Sequence, residues 1–203
     1  MFAKGQYDQL ITYGEPKAKN KDVRNQAEIA MLVGQAYFEK GDFKAAQKYM
    51  EYAANNGVNF RPADFYQLGY AQYQNGFFKN AIDNFEQLNK QDSLLGQNGL
   101  YHLGDCYLRQ RNKGAARDAF GQAASMNFDP SVKEDALMNY AKLSWELKYD
   151  RDALSAMQRF QPQSPYYNDA QALMGEIFLN TRDYDRAVAT LEGVKNRSQR
   201  LNE

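Results

Sequence analysis

Apolar residues recur along the chain with the period of an α-helix. In residues 32–50, LVGQAYFEKGDFKAAQKYM, and again in residues 67–85, QLGYAQYQNGFFKNAIDNF, an apolar position returns every three or four residues. That spacing places the apolar side chains on one face of a helix. Many of the remaining positions hold alanine, glutamine, lysine or glutamate, which are good helix formers. The pattern therefore predicts an all-α chain.

The helical pattern is itself repeated. Residues 32–50 align with residues 67–85, 102–120 and 173–191, and more weakly with residues 140–157. A small residue marks each copy, at spacings of 35, 35, 37 and 34: Gly34, Gly69, Gly104, Ala141 and Gly175. An alanine follows each marker at the same spacing: Ala46, Ala81, Ala116, Ala153 and Ala187. Two markers with one period indicate a repeat architecture.

A break in the middle of each copy predicts a helix, a tight turn and a second helix. The residues expected to end the first helix in the left-handed conformation are Gly41, Gly76 and Asn112. Prolines fall just before or within the first turn of the next copy, where a missing N–H is tolerated: Pro62, Pro130 and Pro165. YDRDA at residues 149–153, compared with YDRA at 184–187, predicts an altered turn in the fourth copy.

The repeated unit resembles the tetratricopeptide repeat (TPR), about 34 residues long with a Leu-Gly, a Tyr, an Ala and a Phe at set places. Leu68-Gly69 and Leu103-Gly104 match the first pair, and Phe85 matches the late aromatic. Three positions depart from the aromatic pattern: Gln72, Lys113 and Ser144. The resemblance covers nearly the whole chain and implies a right-handed superhelical solenoid without enzymatic activity.

The repeat frame predicts one TPR solenoid over residues 1–203. Its parts are the end of a truncated repeat (1–20), five repeats (21–57, 58–92, 93–127, 128–162 and 163–197) and the start of a further repeat (198–203). Gly5 aligns with Gly41 and Leu10 with Ala46, so the N-terminal residues enter the frame in mid-repeat. We therefore expect a fragment of a longer repeat protein, whose terminal repeats are candidates for self-association.

Small residues at the markers predict close helix crossings. Gly69 and Ala81 are expected to let the two helices of one repeat approach each other, while large neighbours such as Leu68 and Phe85 fill the space between repeats. Because one repeat cannot bury its own apolar face, neighbouring repeats stack into a continuous core. Replacing Ala81 with leucine is expected to overpack the crossing.

The charge balance argues against sequence-independent DNA binding. Lys+Arg and Asp+Glu both number 25, giving a formal net charge of zero, whereas a sequence-independent DNA binder needs clustered positive charge. The basic residues 17–24 are interpreted as a solvated loop. No segment approaches the roughly 20 apolar residues of a membrane span. The single cysteine excludes an intramolecular disulfide.

Enzyme signatures are missing from the sequence. His102 is the only histidine and lies beside Leu103-Gly104, so a histidine metal cluster or a Ser/His/Asp triad is hard to build. Cys106, on the same predicted helix, is interpreted as a buried inert thiol. The glycines form no phosphate-binding loop. We predict no catalytic, cofactor-binding or metal-binding residue and no cofactor.

Two functions fit a repeat of this kind. The first is a protein–protein interaction scaffold that binds a peptide or a partner segment in a concave groove. The alternative is a helical-repeat module that stacks single-stranded RNA bases on aromatic side chains. The chain offers aromatic residues, which are 14% of the sequence, but no basic track to accompany them. We therefore expect a protein or peptide partner and no nucleic acid.

The resemblance to TPR proteins implies that a partner binds to the first helix of each repeat. Positions three before, one after and four after each marker share one helical face. The predicted partner-binding residues are Met31, Gln35, Tyr66, Tyr70, Tyr73, Tyr101, Asp105, Met138, Lys142, Trp145 and Glu176. The apolar members of the stripe, Phe38 and Leu108 especially, have core packing as the alternative. The Lys/Asn set by which co-chaperone TPR domains hold a C-terminal carboxylate has no match, so an aromatic groove is expected.

One copy suggests a cellular location. Residues 161–188 resemble bacterial cell-envelope TPR proteins, namely the outer-membrane-assembly lipoproteins and the Tol–Pal-associated periplasmic protein. The residues that carry this resemblance are Pro162, Ser164, Pro165, Tyr166, Asp169, Ala170 and Gly175. It implies a bacterial parent protein in the periplasm or cell envelope, with the cytoplasm as the alternative.

Overall fold

Eleven helices form the described part of the chain. The computed structural model describes residues 4–200, with side chains for residues 5–193, and no strand occurs in that part of the chain. The helices are α1 (Lys4–Ala18), α2 (Gln26–Glu39), α3 (Phe43–Asn55), α4 (Pro62–Gln74), α5 (Phe78–Glu86), α6 (Leu94–Arg109), α7 (Lys113–Ser125), α8 (Pro130–Glu146), α9 (Asp150–Met157), α10 (Tyr167–Asn180) and α11 (Tyr184–Arg200).

Five helix–turn–helix pairs follow α1: α2 with α3, α4 with α5, α6 with α7, α8 with α9, and α10 with α11. The predicted all-α helical-repeat fold is thereby confirmed. Gly5, which the frame aligns with a turn glycine, instead lies inside α1. Residues 198–200 continue α11 without a break, and residues 1–3 and 201–203 lie outside the described part.

The close crossing predicted at the markers is present in several pairs. A Cβ atom added at Gly34 would lie 2.6 Å from Cγ of Met50 and 3.2 Å from the carbonyl oxygen of Ala46. One added at Gly104 would lie 2.8 Å from the ring of Phe120. A first helix therefore crosses its partner at a distance that only a small residue allows.

The left-handed residue falls at a fixed place, seven residues after each marker: Gly41 (φ 77°), Gly76 (φ 81°), Arg111 (φ 59°), Lys148 (φ 68°) and Arg182 (φ 61°). The prediction for Asn112 is therefore wrong by one residue. Asn112 has φ −93° and is the N-cap of α7, where its side chain accepts a hydrogen bond from the Ala115 amide.

The fourth pair has the same turn as the others, so the expected alteration is wrong. The Tyr149 amide donates to the Ser144 carbonyl over 2.7 Å, just as the Asn112 amide donates to the Tyr107 carbonyl over 2.8 Å. Relative to its marker residue, YDRDA begins one position earlier than YDRA. This shift explains the extra residue of YDRDA without an insertion.

Two compact units divide the chain, one from Met1 to Gln91 and one from Asp92 to Glu203. The core of unit 1 includes a cluster of Met31, Met50, Ala53 and Leu68. Unit 2 buries large side chains such as Phe120, Met157 and Ile177. The division of the sequence into five repeats stays a prediction.

Candidate binding surface

Three tyrosines on α4 form the centre of the candidate surface in unit 1. Tyr66, Tyr70 and Tyr73 follow the i, i+4, i+7 spacing that places side chains on one face, and each is half-buried. The ring centroids of Tyr66 and Tyr70 are 6.0 Å apart in a stacked arrangement, and those of Tyr70 and Tyr73 are 6.2 Å apart. The three rings therefore form one continuous row.

Phenylalanines from the neighbouring helices extend the row. Phe38 of α2 and Phe43 of α3 meet the ring of Tyr70 edge-on at 5.9 and 5.4 Å. Phe78 of α5 meets Tyr73 edge-on at 5.8 Å. Edge-to-face contacts at these distances are favourable. We call this set the unit 1 aromatic surface: Phe38, Phe43, Tyr66, Tyr70, Tyr73 and Phe78.

Tyr66 anchors the surface to the core. Its ring lies edge-on to the fully buried Phe85, with centroids 6.0 Å apart. Burial raises the pKa of Tyr66 to about 12, with a smaller contribution from Tyr70. The hydroxyl therefore keeps its proton at neutral pH, so the surface gains no charge there.

Gln35 takes part in a polar cluster beside the aromatic row. Its Nε2 donates to Oδ1 of Asp64 over 2.8 Å, and Nε of Arg61 donates to Oδ2 of the same carboxylate over 3.0 Å. Asp64 is buried, at the third position of α4, and accepts a hydrogen bond from the Arg61 amide. Neither Arg61 nor Asp64 was among the residues predicted from the sequence. A carboxylate three residues after a helix cap is the signal that could have indicated them.

Two of the predicted partner-binding residues belong to the core instead. Met31 packs with Met50 and Leu68, and Met138 is likewise buried. The helical spacing identified the helices correctly but did not indicate that these two side chains are buried. Phe38 and Leu108, for which core packing was the alternative, are both half-buried.

Tyr101 on α6, one of the predicted residues of unit 2, is half-buried. Its ring meets Phe120 edge-on at 5.6 Å and His102 at 5.6 Å. Burial raises the pKa of Tyr101, and the carboxylates of Asp135 and Asp105 add to the effect. Asp135 also accepts a hydrogen bond from the Tyr166 hydroxyl, the main reason why the pKa of Tyr166 rises to about 12.

The other predicted residues of unit 2 differ in exposure. Asp105 pairs with Arg109 on its own helix, with 3.5 Å between carboxylate oxygen and Nε. Lys142 and Glu176 are exposed, and Trp145 is half-buried. The predicted stripe thus has one part in each unit, aromatic in unit 1 and mixed aromatic and charged in unit 2.

Burial shifts the pKa of the two residues that could have suggested catalytic chemistry, His102 and Cys106. It lowers the pKa of His102 to about 4, against the influence of Asp105. It raises the pKa of the Cys106 thiol to about 12. Among the residues with described side chains, no group of three or more His, Cys, Asp or Glu side chains is arranged to hold a metal ion.

None of the described helices combines the length and the apolar character needed to cross a membrane.

Comparison with known families identifies the repeat. Residues 21–191 match the family model described as the tetratricopeptide repeat protein 21 ARM repeat. The chain belongs to this tetratricopeptide repeat family. The predicted TPR resemblance is thereby confirmed, while its cell-envelope subtype stays a prediction. No curated protein matches the chain.

Solved TPR structures have the same fold. YrrB, described as a TPR protein with an unusual peptide-binding site, is 16% identical, with a TM-score of 0.69 over 96% of this chain and 93% of its own. One MamA crystal structure is 20% identical, with a TM-score of 0.65 over 84% and 96% of the two chains. MamA from Desulfovibrio magneticus RS-1 is 16% identical, with a TM-score of 0.60 over 88% and 98%. At these identities the likeness concerns the fold alone.

Proposed function

We propose that this TPR chain is a non-enzymatic scaffold that binds an extended or helical segment of a partner protein on the unit 1 aromatic surface. The observation that carries the proposal is the row of half-buried tyrosines on α4, Tyr66, Tyr70 and Tyr73. Tyrosine is enriched among the residues that dominate protein interfaces. The fold shared with YrrB, a peptide-binding TPR protein by its description, is compatible with this function.

The packing of the rings suits them for binding. Tyr70 contacts Phe38, Phe43, Tyr66 and Tyr73, so its ring is already restrained before a partner arrives. Side chains that are ordered in advance lose less conformational entropy on binding. Aromatic faces accept the partner's apolar side chains, and tyrosine hydroxyls can hydrogen-bond its backbone.

A clamp for a free C-terminal carboxylate is not part of the proposal. Of the four positions that correspond to such a clamp, Met31 is buried, and Gln35 donates its amide to Asp64. The other two are the tyrosines Tyr66 and Tyr70. The arrangement favours internal segments over chain ends.

In unit 2, we propose that Tyr101 and Trp145 contribute aromatic contacts to the same partner and that Lys142, Asp105 and Glu176 contribute charged ones. Because Lys142 and Glu176 are exposed, the charged contacts affect specificity and association rate more than affinity.

Binding is tested with a partner segment selected from a displayed peptide library and measured by calorimetric titration. Tyr70→Ala and Trp145→Ala are each expected to weaken binding by about 2 kcal/mol, roughly thirtyfold. Melting followed by circular dichroism checks that each variant remains folded. Asp83→Lys, an exposed change on α5, is the control and should bind normally. Normal binding by both aromatic variants, together with loss of binding by the control, would refute the assignment.

Single-stranded RNA is the other ligand class that stacked aromatic rings bind. The equal numbers of basic and acidic residues, 25 each, disfavour it, since RNA binding needs positive charge along the backbone path. A gel shift with single-stranded RNA at rising salt separates the two functions. A salt-sensitive shift abolished by Tyr70→Ala would support RNA binding over peptide binding.

We also propose a periplasmic or cell-envelope location in a bacterium, supported only by the sequence resemblance of residues 161–188. The same residues have structural roles: the Ser164 hydroxyl donates to Glu134 over 2.9 Å, and the Tyr166 hydroxyl donates to Asp135. Fractionation of cells that express the full-length gene, with a search for a signal peptide or lipid-attachment cysteine, tests the location. Recovery in the cytoplasmic fraction would contradict it.

A further inference from the structure

An apolar groove lies between α1 and α2 in unit 1. Leu10 and Leu32 line two adjoining cavities of about 210 and 200 Å³. Tyr13 is 74% exposed and Leu32 is 52% exposed. We call this feature the α1–α2 groove, lined by Leu10, Tyr13, Ile29 and Leu32. Large apolar side chains exposed together indicate an interaction surface.

An apolar stripe lies on α11 in unit 2. Tyr184, Val188 and Leu191 are 60%, 54% and 38% exposed. Their i, i+4, i+7 spacing places them on one helical face. We call this feature the α11 stripe. A helix with three large apolar side chains in a row on its surface is suited to pack against another apolar surface.

Leu191 packs against α10 at Gly175 and still has exposed surface at a place that the other helix pairs bury. It lies sixteen residues after the marker, and the four residues at the same place in the other pairs are at most 1% exposed: Met50, Phe85, Phe120 and Met157. In unit 1, Met50 packs against Leu68 of the following first helix. The stripe therefore extends an interface that the internal repeats already form.

The groove is shaped for a helix with large side chains. Leu10 aligns with the position twelve residues after the marker in the other copies. All five helix pairs have a fully buried alanine at that position. Alanine there allows the close approach of a glycine-bearing first helix, whereas Leu10 holds an incoming helix farther away. A wider separation leaves room for the tyrosine, valine and leucine of the α11 stripe.

Charge at one end of the groove complements the stripe. Lys17 lines the groove beside Tyr13 and Gly14. Glu192 is exposed and follows Leu191 on α11. Opposite charges at the ends of two apolar surfaces favour one orientation of the incoming helix.

We infer that the α11 stripe of one molecule packs into the α1–α2 groove of a second copy, in a head-to-tail contact. The contact joins two different surfaces, so each added copy leaves one groove and one stripe for the next, and the product is an open chain or a closed ring. The inference does not rest on peptide binding, because neither surface includes a residue of the unit 1 aromatic surface.

Sedimentation velocity over a range of protein concentrations provides the test. The wild-type chain is expected to increase in average mass with concentration. Leu32→Asp blocks the groove and Val188→Asp blocks the stripe, so each variant alone should remain a monomer. An equal mixture of the two should form a dimer and nothing larger, because one intact groove meets one intact stripe. Phe128→Asp, at an exposed phenylalanine outside both surfaces, should associate like the wild type.

Charge reversal tests the orientation. Lys17→Glu and Glu192→Lys should each weaken association several-fold, and combining both changes in one chain should restore it. Tyr13→Asp, at a more exposed groove residue, replaces Leu32→Asp if that variant melts early. Tyr70→Ala should leave association unchanged, so failure here is distinct from failure of the proposed function. A wild-type chain that stays monomeric, or a mixture of blocked variants that fails to dimerise, overturns the inference.

Discussion

Two residues that depart from the TPR aromatic pattern are compensated by polar neighbours. Ser144, fully buried, accepts a hydrogen bond from Nε of Arg117 over 2.9 Å. Gln72 donates to Glu51 over 2.9 Å and accepts from Asn84 over 2.8 Å. In the other three pairs an aromatic ring stands at the corresponding position. At both positions a polar side chain of the first helix, hydrogen-bonded to a side chain of a second helix, thus takes the place of the aromatic ring.

Removal of Arg117 should destabilise unit 2, because its side chain is largely buried among several contacts. Besides Ser144, it contacts Asp152 in an ion pair and lies over the rings of Tyr140 and Tyr149 at 4.9 and 4.4 Å. Arg117→Ala leaves the buried Ser144 hydroxyl without this donor, so a loss of about 1–3 kcal/mol is expected in urea unfolding. Arg151→Ala, at an exposed residue, should change stability by less than about 0.5 kcal/mol. Equal effects would show that the Arg117 contacts contribute little.

Marker glycines should differ in their tolerance of alanine. At Gly34 the new Cβ would lie 3.1 Å from the Met50 backbone nitrogen, and backbone cannot move aside easily. At Gly175 the three atoms nearest to the new Cβ all belong to the side chain of Leu191, which is partly exposed and can rotate away. Gly34→Ala should destabilise by about 1–3 kcal/mol. Gly175→Ala should be neutral or stabilising, because alanine is the better helix former. Thermal melts that rank the two in the opposite order would contradict the prediction.

His102 should make stability depend on pH between about 6.5 and about 4. Burial lowers its pKa in the folded chain to about 4, whereas an unfolded histidine titrates near 6.5. Below about 6.5 the unfolded chain binds a proton that the folded chain does not, so stability falls as the pH falls through this window. Urea unfolding should lose up to about 1.4 kcal/mol per pH unit there relative to His102→Gln. Parallel pH curves for the two proteins would exclude the effect.

At the scale of the helices, periodicity was sufficient to predict the pairs but not their ends. The left-handed conformation falls on Arg111 because the frame requires it there, although arginine has no preference for it and Asn112 follows directly. The bonds around it compensate: the Arg111 amide donates to Leu108 over 2.9 Å, and the Asn112 amide donates to Tyr107 over 2.8 Å. At such turns the position in the repeat decides which residue adopts the left-handed conformation, whatever that residue's own preference.

Helix crossings are where the sequence was most informative. Ala81 is fully buried on α5, as expected from its place in the frame. Ala81→Leu would force a larger side chain into the crossing and should cost about 1–3 kcal/mol. Lys79→Leu makes the same residue at an exposed position of the same helix and should leave the melting temperature nearly unchanged. An unchanged melt for Ala81→Leu would mean that the crossing has spare volume.

At the scale of the whole molecule, the candidate surface was only partly predictable. Spacing along α4 correctly grouped Tyr66, Tyr70 and Tyr73, because three residues on one helical face must be neighbours. The depth of Met31 and the contribution of Phe43 depend on how separate helices pack, which no local spacing encodes. For the same reason no local pattern indicated that Gln97, fully buried, would accept a hydrogen bond from the Asp129 amide over 2.7 Å.

The division into two units predicts where the chain can be cut without unfolding. The boundary falls between Gln91 and Asp92, in the exposed turn that joins α5 to α6. A site for a sequence-specific protease, inserted there, should be cleaved readily, because exposed turns tolerate insertion and are accessible to proteases. Each half contains its own stacked helix pairs and buried core, so both fragments should keep their helical circular dichroism and melt cooperatively.

The matched control places the same site after Gly76, in the turn between α4 and α5 within unit 1. Cleavage there separates two helices that cross at Gly69, where an added Cβ would lie 3.1 Å from the Phe85 ring. Phe85 then loses the helix that covers it, and unit 1 should lose cooperativity while unit 2 still melts as before. If cleavage at the unit boundary costs as much helicity as cleavage after Gly76, the two units depend on each other for folding, and the chain is a single cooperative stack.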